Sequence, residues 1–554
     1  MSNDLRFDVA SQPMAYHGSM QPNDLTGDQI SDLNHRHTQV FERFGLSLVR
    51  TDIIPVKGEV NGLSNLGAFR NRQLRESAII AAAFAAMAVA LDGLGSLASV
   101  SGDRTKTIKN RLKRANDRTA AQVMAEVLQL TTTSLHPSED VIIESLITEG
   151  VRSKPGYEAG GNPTIAVGHL FGKSELYQLW GQNLPKHITQ LSMGNDVIDG
   201  TGKSIQGLHS SLTALFLTES HIKRHLPDVY VLRTMSGRQF GDFNCFSDSP
   251  LEAAQAIAVG YGLSRLNQLS AFFLDRARHY PCMDILNQAG VATPWDKDGD
   301  LFPALVLGLD GFSFQNGKPL HCMINEIGGS AEWAVGVLPL VWRGGHALGM
   351  LTSHSNLSRK DVEPEQLWRE RFNFTEAEII EIDDARFGNK PIFTIGDILE
   401  NPFAGGVSAF GAITDNVYMP SLKGVTIDRE KNEITVNVLM INSLGLVKCW
   451  HLVFKCNQGV DHTAGLMASP KKKMAGLSGD GLKQVINTML NDFGSEESLR
   501  IFFRNEYYPA IITFSGKIRV MHDTVTSLIS RGALSEHDQE IIKAFEELFP
   551  EWFY

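Results

Sequence analysis

The stretch that decides the fold class is SAFFLDRARHYPCMDILNQAGVATPWDKDGDLFPALVLG, residues 270–308. Its apolar runs at 270–275 and 291–295 have the length and composition of strands, and a segment with the pattern of a helix follows each run. This order predicts a parallel α/β unit, because parallel strands need a crossover between them. Ligands gather at the carboxyl ends of such strands, although any single charge there is more typical of a helix cap. The charged residues that follow the two strands are Arg276, Arg278, Asp298 and Asp300.

The composition excludes several classes of protein. The chain has 554 residues, enough for two or three domains, and a net charge of −11, which argues against general affinity for nucleic acid or anionic membranes. Its five cysteines are scattered without a CxxC pair. Reduced thiols and a cytoplasmic location are therefore the expectation, and the first residues, MSNDLRFDVASQPMAYHG, lack the pattern of a signal peptide.

The longest apolar run is AIIAAAFAAMAVAL, residues 78–91. It is shorter than the stretch of about 18 to 20 residues that crosses a bilayer. An alanine-rich run of this length predicts a closely packed helix inside the protein, and no membrane span is expected.

The composition and the pattern of apolar residues predict four segments of the chain. The first forty or so residues are polar and aperiodic, which is typical of a flexible or draped arm. MINEIGGSAEWAVGVLPLVWRGG, residues 323–345, predicts a strand, a glycine turn and a helix with Glu332 in its first turn. SEHDQEIIKAFEELF, residues 535–549, predicts a capped docking helix. The expected divisions are an arm at 1–69, a metal-binding subdomain at 70–265, a substrate-binding subdomain at 266–455 and a helical extension at 456–554.

A second decisive stretch is GNDVIDGTGK, residues 194–203. Asp-Gly alone is ordinary turn chemistry. Alternatively, Asp196 and Asp199 bind one hard cation such as Mg²⁺ or Mn²⁺, with Thr201 beside it. Phosphate-ester chemistry on such ions needs more carboxylates than two. Further acids stand where elements meet loops, namely Asp117, Glu144 and Glu332.

The order of short motifs resembles the class II fructose-1,6-bisphosphatases, which are lithium-sensitive, metal-dependent sugar-phosphate phosphatases related to inositol monophosphatase. The resemblance extends over residues 70–455 and implies a layered α-β-α-β-α sandwich of the α/β class, a homo-oligomer, and here an added C-terminal helical segment. The motifs are, in order, GDR, AND, VIIE, DVIDGT, PDVY, LDRARH, DGD, IGGSAE, IGD and GAIT.

The resemblance also implies a set of site residues. The metal ligands would be Asp117, Glu144, Asp196, Asp199 and Glu332. The catalytic residues would be Thr201, Asp196 and Glu144, with the threonine hydroxyl orienting an attacking water that two metal ions activate. The substrate contacts would be Asp199, Gly200, Thr201, Tyr230, Arg276, Ala277, Arg278, Asp298, Gly299, Asp300 and Gly329.

This sequence departs from the family pattern in places. Val197 replaces a proline, and Asp199 stands where class II enzymes usually have glutamate. If residues 116–118 are instead the match of the family's Gly-Asp-Lys, the ligand expected at Asp117 falls on Gln122. An insertion spans residues 155–187.

The function that the resemblance implies is hydrolysis of the 1-phosphate of fructose 1,6-bisphosphate, in gluconeogenesis and carbon metabolism, with Mg²⁺ or Mn²⁺. Sedoheptulose 1,7-bisphosphate and inositol phosphates are alternative substrates. A third alternative is a phosphatase fold that has lost catalysis and acts as a binding or regulatory protein.

Overall fold

The computed structural model describes residues 6–8, 15–16, 23–57, 72–102, 105–136, 139–150, 162–179, 185, 187–224, 226, 231–243, 249–307, 309, 312–314, 317–327, 330–351, 380, 392–493, 496–507 and 535–552. The strands are β1 Arg6–Asp8, β2 Ala15–Tyr16, β3 Asn23–Asp24, β4 Leu46–Lys57, β5 Val141–Thr148, β6 Leu170–Phe171, β7 Thr189–Asp199, β8 Leu212–Thr218, β9 Val231–Ser236, β10 Ala271–Leu274, β11 Thr293–Asp296, β12 Phe312–Ser313, β13 Cys322–Ile327, β14 His346–Leu351, β15 Gly406–Ala412, β16 Thr426–Asp428, β17 Glu433–Asn442 and β18 Val447–Cys456. The helices are α1 Gly27–Arg36, α2 Thr38–Arg43, α3 Arg72–Asp92, α4 Lys106–Thr133, α5 Thr201–Ser204, α6 Pro250–Gly260, α7 Tyr280–Gln288, α8 Leu301–Val306, α9 Ser330–Trp342, α10 Ile395–Ile398, α11 Val460–Met467, α12 Pro470–Met474, α13 Gly479–Phe493, α14 Glu496–Tyr507 and α15 Glu536–Leu548.

Two large sheets organise the described part of the chain. The larger has the strand order β3-β4-β18-β17-β15-β8-β7-β5-β6, with β16 also paired to β17, and only β5 and β7 run parallel within it. The smaller has the order β1-β11-β10-β13-β9-β14. Its first four strands are parallel, and β9 is antiparallel to both of its neighbours. The parallel unit expected at 270–308 is confirmed, because β10 and β11 pair in parallel and α7 connects them.

Helices cover the two sheets in five layers. Consecutive strand residues face opposite sides of a sheet, so Leu215 of β8 packs on α3 and α4, while Phe216 packs on α8 and α9. In the smaller sheet, Phe272 of β10 belongs to the same cluster as α8 and α9, and Phe273 packs against α6 and α7. The order is therefore helices, large sheet, helices, small sheet, helices, which confirms the predicted α-β-α-β-α sandwich.

The alanine-rich helix α3 is a core element. With the turn that follows it, the helix is long and apolar enough to cross a bilayer by length and composition alone. Its side chains from Ala78 to Val89 are all buried, and small residues let the sheet approach closely. The Thr213 hydroxyl of β8 donates to the carbonyl of Ala82 at 2.8 Å. This burial is that of a helix inside a folded protein, as the sequence predicts.

We expect Gly411→Ala to destabilise the protein by about 2 kcal/mol, because overpacking a tight contact typically costs 1–3 kcal/mol. A β-carbon at Gly411 of β15 would lie 2.3 Å from the Ala82 carbonyl oxygen, which α3 holds in place. Gly465→Ala in α11 is the matched control, since nothing lies within 4 Å of a β-carbon there. Urea unfolding measures both variants, and equal free energies of unfolding would contradict the close packing of α3 on this sheet.

The N-terminal segment contributes more to the body than a flexible arm would. Residues 27–57 form α1, α2 and β4, and β4 pairs with β18 along its length. Leu33, Val40 and Phe41 are buried in the core cluster around α3. The polar composition reflects the outward face of α1, which carries few apolar residues. The four predicted divisions of the chain otherwise stay predictions.

The C-terminal helices form a small unit with its own apolar cluster. Ile486 of α13, Phe502 of α14 and Phe545 of α15 pack together with Trp552. Helix α15 begins after Ser535, whose hydroxyl accepts from the backbone amide of residue 538 at 3.1 Å, as the sequence pattern predicts.

Candidate active site

The two aspartates of the Asp-Val-Ile-Asp-Gly-Thr motif lie at the end of β7. The pairing of β7 with β8 shifts in register between Asp196 and Asp199, and both side chains are buried. Gly200 follows with a φ of 76° and allows the chain to turn into α5. The motif is thus a strand-to-helix corner and not a surface turn.

Helix α4 brings Asp117 to this corner. The Thr201 hydroxyl donates to Asp117 Oδ1 at 2.9 Å and lies 3.1 Å from the Ile198 carbonyl oxygen. The other carboxylate oxygen, Oδ2, is buried and has no hydrogen-bond partner among the described residues. Burial and the nearby Glu149 charge raise the pKa of Asp117 to about 7. Gln122 lies five residues later, about 140° around the helix, so the structure brings Asp117 and not Gln122 to the motif.

Glu144 lies away from this corner, contrary to the expectation. It sits inside β5 opposite Ser192 of β7, four residues before Asp196 and thus about 13 Å along the strand. Burial raises its pKa to about 7, and no charged group contributes to that shift. The expectation was drawn from the letters Val-Ile-Ile-Glu and not from the position of the residue relative to the strand end, and a metal-binding role of Glu144 stays a prediction.

Glu149 is the carboxylate that sequence reasoning missed. It follows the last residue of β5, and its backbone amide donates to the carbonyl of Asn195 in β7 at 3.1 Å. Its charge raises the pKa of both Asp117 and Asp196. The signal was the Thr-Glu-Gly sequence at 148–150, because a polar residue directly after a parallel strand is where functional groups collect.

The acids around Asp196 form one cluster. Burial raises the pKa of Asp196 well above its ordinary value, and four neighbouring carboxylates raise it further. They are Glu149, Glu332, Asp199 and Asp117. Three of the other four expected metal ligands therefore act on Asp196, together with Glu149, and the ligand set itself stays a prediction.

The chemistry of this cluster fits a hard divalent cation. Within the described ranges, no group of three His, Cys, Asp or Glu side chains converges at metal-binding spacing. The buried Asp117 Oδ2, which has no hydrogen-bond partner that the structure describes, and the mutual repulsion of the acids nevertheless provide oxygen donors that an added cation would stabilise. Mg²⁺ and Mn²⁺ prefer such oxygen donors, and a cation relieves the repulsion.

The Asp-Gly-Asp loop of the smaller sheet meets the corner of the larger one. Asp199 accepts the backbone amides of Asp300 at 3.2 Å and of Leu301 at 3.3 Å, and so caps α8. Burial, then the charges of Asp300 and Asp298, raise the pKa of Asp199. A β-carbon at Gly299, where φ is 76°, would lie 3.5 Å from Asp199 Oδ2. The two stretches predicted to bind substrate therefore contact each other.

Three cations that sequence reasoning did not select stand among these acids. Arg233 of β9 is fully buried, with Nη2 3.1 Å from Asp300 Oδ2. Lys203 Nζ lies 2.8 Å from Asp296 Oδ2. A β-carbon at Gly202 would lie 3.2 Å from Lys113 Nζ. Single basic residues within a strand or helix form no motif, so the sequence carries no signal for them.

The arginines expected to bind a phosphate lie at the carboxyl end of β10. Arg276 Nη1 donates to the carbonyl of Lys297 at 2.8 Å. Burial, together with the charges of Arg278, Arg276 and Arg233, lowers the pKa of His279 to about 3. The three guanidinium groups therefore all act on His279, and Ala277 stands between two of these arginines in the chain. Tyr230 and Gly329 lie outside the described residues.

Comparison with known proteins identifies relatives of this chain. Residues 173–442 match the family model described as bacterial fructose-1,6-bisphosphatase, glpX-encoded. A D-fructose 1,6-bisphosphatase class 2/sedoheptulose 1,7-bisphosphatase of Synechococcus sp. (strain JA-2-3B'a(2-13)) is 22% identical over 245 residues, 41% of this chain and 65% of the relative. The protein of the same description from strain JA-3-3Ab is 24% identical over 166 residues, 30% of this chain and 46% of the relative. The chain thus spans less than two thirds of the length of these relatives.

Proposed function

We propose that the acid cluster is the catalytic centre of a metal-dependent sugar-bisphosphate phosphatase, because residues 173–442 match the model of the bacterial fructose-1,6-bisphosphatase family. The substrate we propose first is fructose 1,6-bisphosphate, hydrolysed at its 1-phosphate. The observation that carries the proposal is the hydrogen bond from the Thr201 hydroxyl to Asp117 Oδ1. It holds beside the motif a carboxylate whose other oxygen, Oδ2, has no hydrogen-bond partner in the part of the chain that the structure describes.

Mg²⁺ or Mn²⁺ would be held by the oxygens of Asp117, Glu149, Asp196, Asp199 and Glu332. When bound, such an ion supplies Lewis-acid chemistry for phosphate-ester hydrolysis. Asp117 and Glu149 lie before the matched region, so their assignment rests on their placement beside Asp196 and Thr201.

The chain's own residues supply orientation and charge. In this proposal the Thr201 hydroxyl, held by Asp117, orients an attacking water. The guanidinium groups of Arg276 and Arg278 suit a second phosphate, since arginine binds phosphate through two parallel hydrogen bonds. Asp298 and Asp300 are suited to sugar hydroxyls. A homo-oligomer is part of the same proposal by resemblance.

A second candidate substrate is sedoheptulose 1,7-bisphosphate. The two relatives carry this activity in their description alongside fructose 1,6-bisphosphatase. Phosphate release from both bisphosphates, from inositol 1-phosphate and from the corresponding monophosphates separates these possibilities. The proposal requires release from a bisphosphate to exceed release from every monophosphate, and equal rates would contradict a site for two phosphates.

We expect stabilisation by Mg²⁺ to increase with pH. Burial raises the pKa of Asp117 to about 7, so without a cation its share of the stability falls between pH 4 and pH 7, as the unfolded carboxyl ionises first. A cation binds the ionised carboxylates and offsets that loss. Melting temperatures with and without Mg²⁺ at pH 5.5, 7 and 8.5 measure the effect, and a shift that is largest at pH 5.5 would contradict carboxylate ligands.

A further inference from the structure

Four consecutive residues of α4 contact three other helices. Asn116 donates to the Ser204 hydroxyl of α5 at 2.9 Å, and Asp117 accepts from Thr201 at 2.9 Å. The next two residues bind elsewhere, Arg118 to α14 and Thr119 to the end of α3. The position of Asp117 is therefore set from several sides at once.

The contact of Arg118 is made with a buried carboxylate of the C-terminal helices. Arg118 binds Glu506 of α14 through both Nε and Nη2, with Nη2 2.8 Å from Oε1. Lys471 Nζ lies 2.8 Å from the same oxygen and also pairs with Asp538. Burial opposes ionisation, but the charges of Arg118 and Lys471 lower the pKa of Glu506 to about 2. An ion pair with two parallel hydrogen bonds fixes the relative orientation of the two side chains as well as stabilising the contact between α4 and α14.

A second contact reaches the same turn of α4 from the C-terminal segment. The Thr119 hydroxyl donates to Asp92 Oδ2 at 3.2 Å. Lys472 of α12 binds the other oxygen of Asp92. Both residues that follow Asp117 are thus connected to residues 470–507, all of which lie beyond the region matched by the family.

We propose that the C-terminal helices position the active-site helix, with Glu506 and Arg118 as positioning residues that hold Asp117 beside Thr201 and the acid cluster. This inference rests on the proposed function. Asp117 reaches the site from the middle of α4 with one oxygen hydrogen-bonded and one without a partner. A small rotation or shift of α4 therefore changes where that oxygen points, and misplacement of about 1 Å is costly at catalytic sites.

The test is calorimetric titration of the full-length, chelator-treated protein with Mn²⁺. Glu506→Gln and Arg118→Met are each expected to weaken binding about tenfold, the scale seen when residues that orient metal ligands are changed. The double variant should be no weaker than either single one, because both act through one contact. The control is Glu547→Gln, which removes the exposed pair of Glu547 with Lys483 between α13 and α15.

The double variant keeps the test decisive if a single variant fails to fold, because Lys471 remains paired with Asp538. Wild-type affinity in the folded double variant overturns the positioning role, and so does an equal loss in Glu547→Gln. Asp117→Asn separates the two proposals. Unchanged Mn²⁺ binding in Asp117→Asn overturns the cation site itself, whereas a loss there with none in the Arg118 and Glu506 variants overturns only the positioning role.

Discussion

Asp196→Asn is expected to lower kcat for fructose 1,6-bisphosphate roughly a hundredfold or more, because it removes one charged oxygen donor from the centre of the proposed cation site. Asp196 is surrounded by the charges of four other acids. Its replacement by a neutral amide of the same shape reduces their repulsion. The free energy of unfolding without a cation is therefore expected to stay the same or to rise.

The measurement combines steady-state phosphate release with urea unfolding of the same preparation. Asp461→Asn is the control, since that side chain is 88% exposed and lies on α11, outside the site. Turnover within threefold of the wild type in Asp196→Asn, with normal stability, would remove the cluster from the mechanism.

Glu149→Gln and Glu144→Gln are expected to differ sharply. Glu149 neighbours Asp117 and Asp196, so its neutralisation should lower kcat by about a hundredfold. Glu144 stands about 13 Å away along the strand, and its neutralisation should leave kcat within twofold. Glu144 lies inside β5 and Glu149 directly follows it. Each variant is therefore the control for the other.

Glu144→Gln should also change the dependence of stability on pH. Burial raises the pKa of this carboxyl to about 7. The unfolded chain ionises it near pH 4.5, so the wild type loses stability between pH 4.5 and 7, on the order of 3 kcal/mol in all. The glutamine variant carries no such loss, and its advantage should be absent below pH 4.5 and fully present above pH 7. A fall of kcat in Glu144→Gln and not in Glu149→Gln would support Glu144 as the metal ligand and contradict the assignment of Glu149.

The fold was predictable where one local pattern dominates. The strands and helix at 270–308 follow from apolar runs of strand length, and α3 follows from an alanine-rich run that only a crowded interior accommodates. The segment at 27–57 was missed because α1 contributes only one fully buried side chain, Leu33, and its polar residues outnumber it. Its structure depends on the pairing of β4 with β18, about four hundred residues away in the chain, and no local pattern shows that.

The site was predictable where residues form a motif. Asp196, Asp199 and Thr201 share one short stretch, and the register shift in β7 places them at a corner. Arg233 is buried in β9, and only its contact with Asp300 of the Asp-Gly-Asp loop identifies it as part of the candidate site. The sequence does not show that contact. Glu149 could be predicted only from its position directly after β5. That prediction needs the end of the strand, which the motif sequence does not give.

The most direct test of the account is phosphate release from fructose 1,6-bisphosphate by the purified chain, with Mg²⁺ or Mn²⁺, with chelator, and after the cation is restored. The account predicts release with either cation, loss with chelator, recovery when the cation returns, and no such release by the Asp196→Asn variant. Release that chelator leaves unchanged, or that Asp196→Asn retains in full, would contradict it.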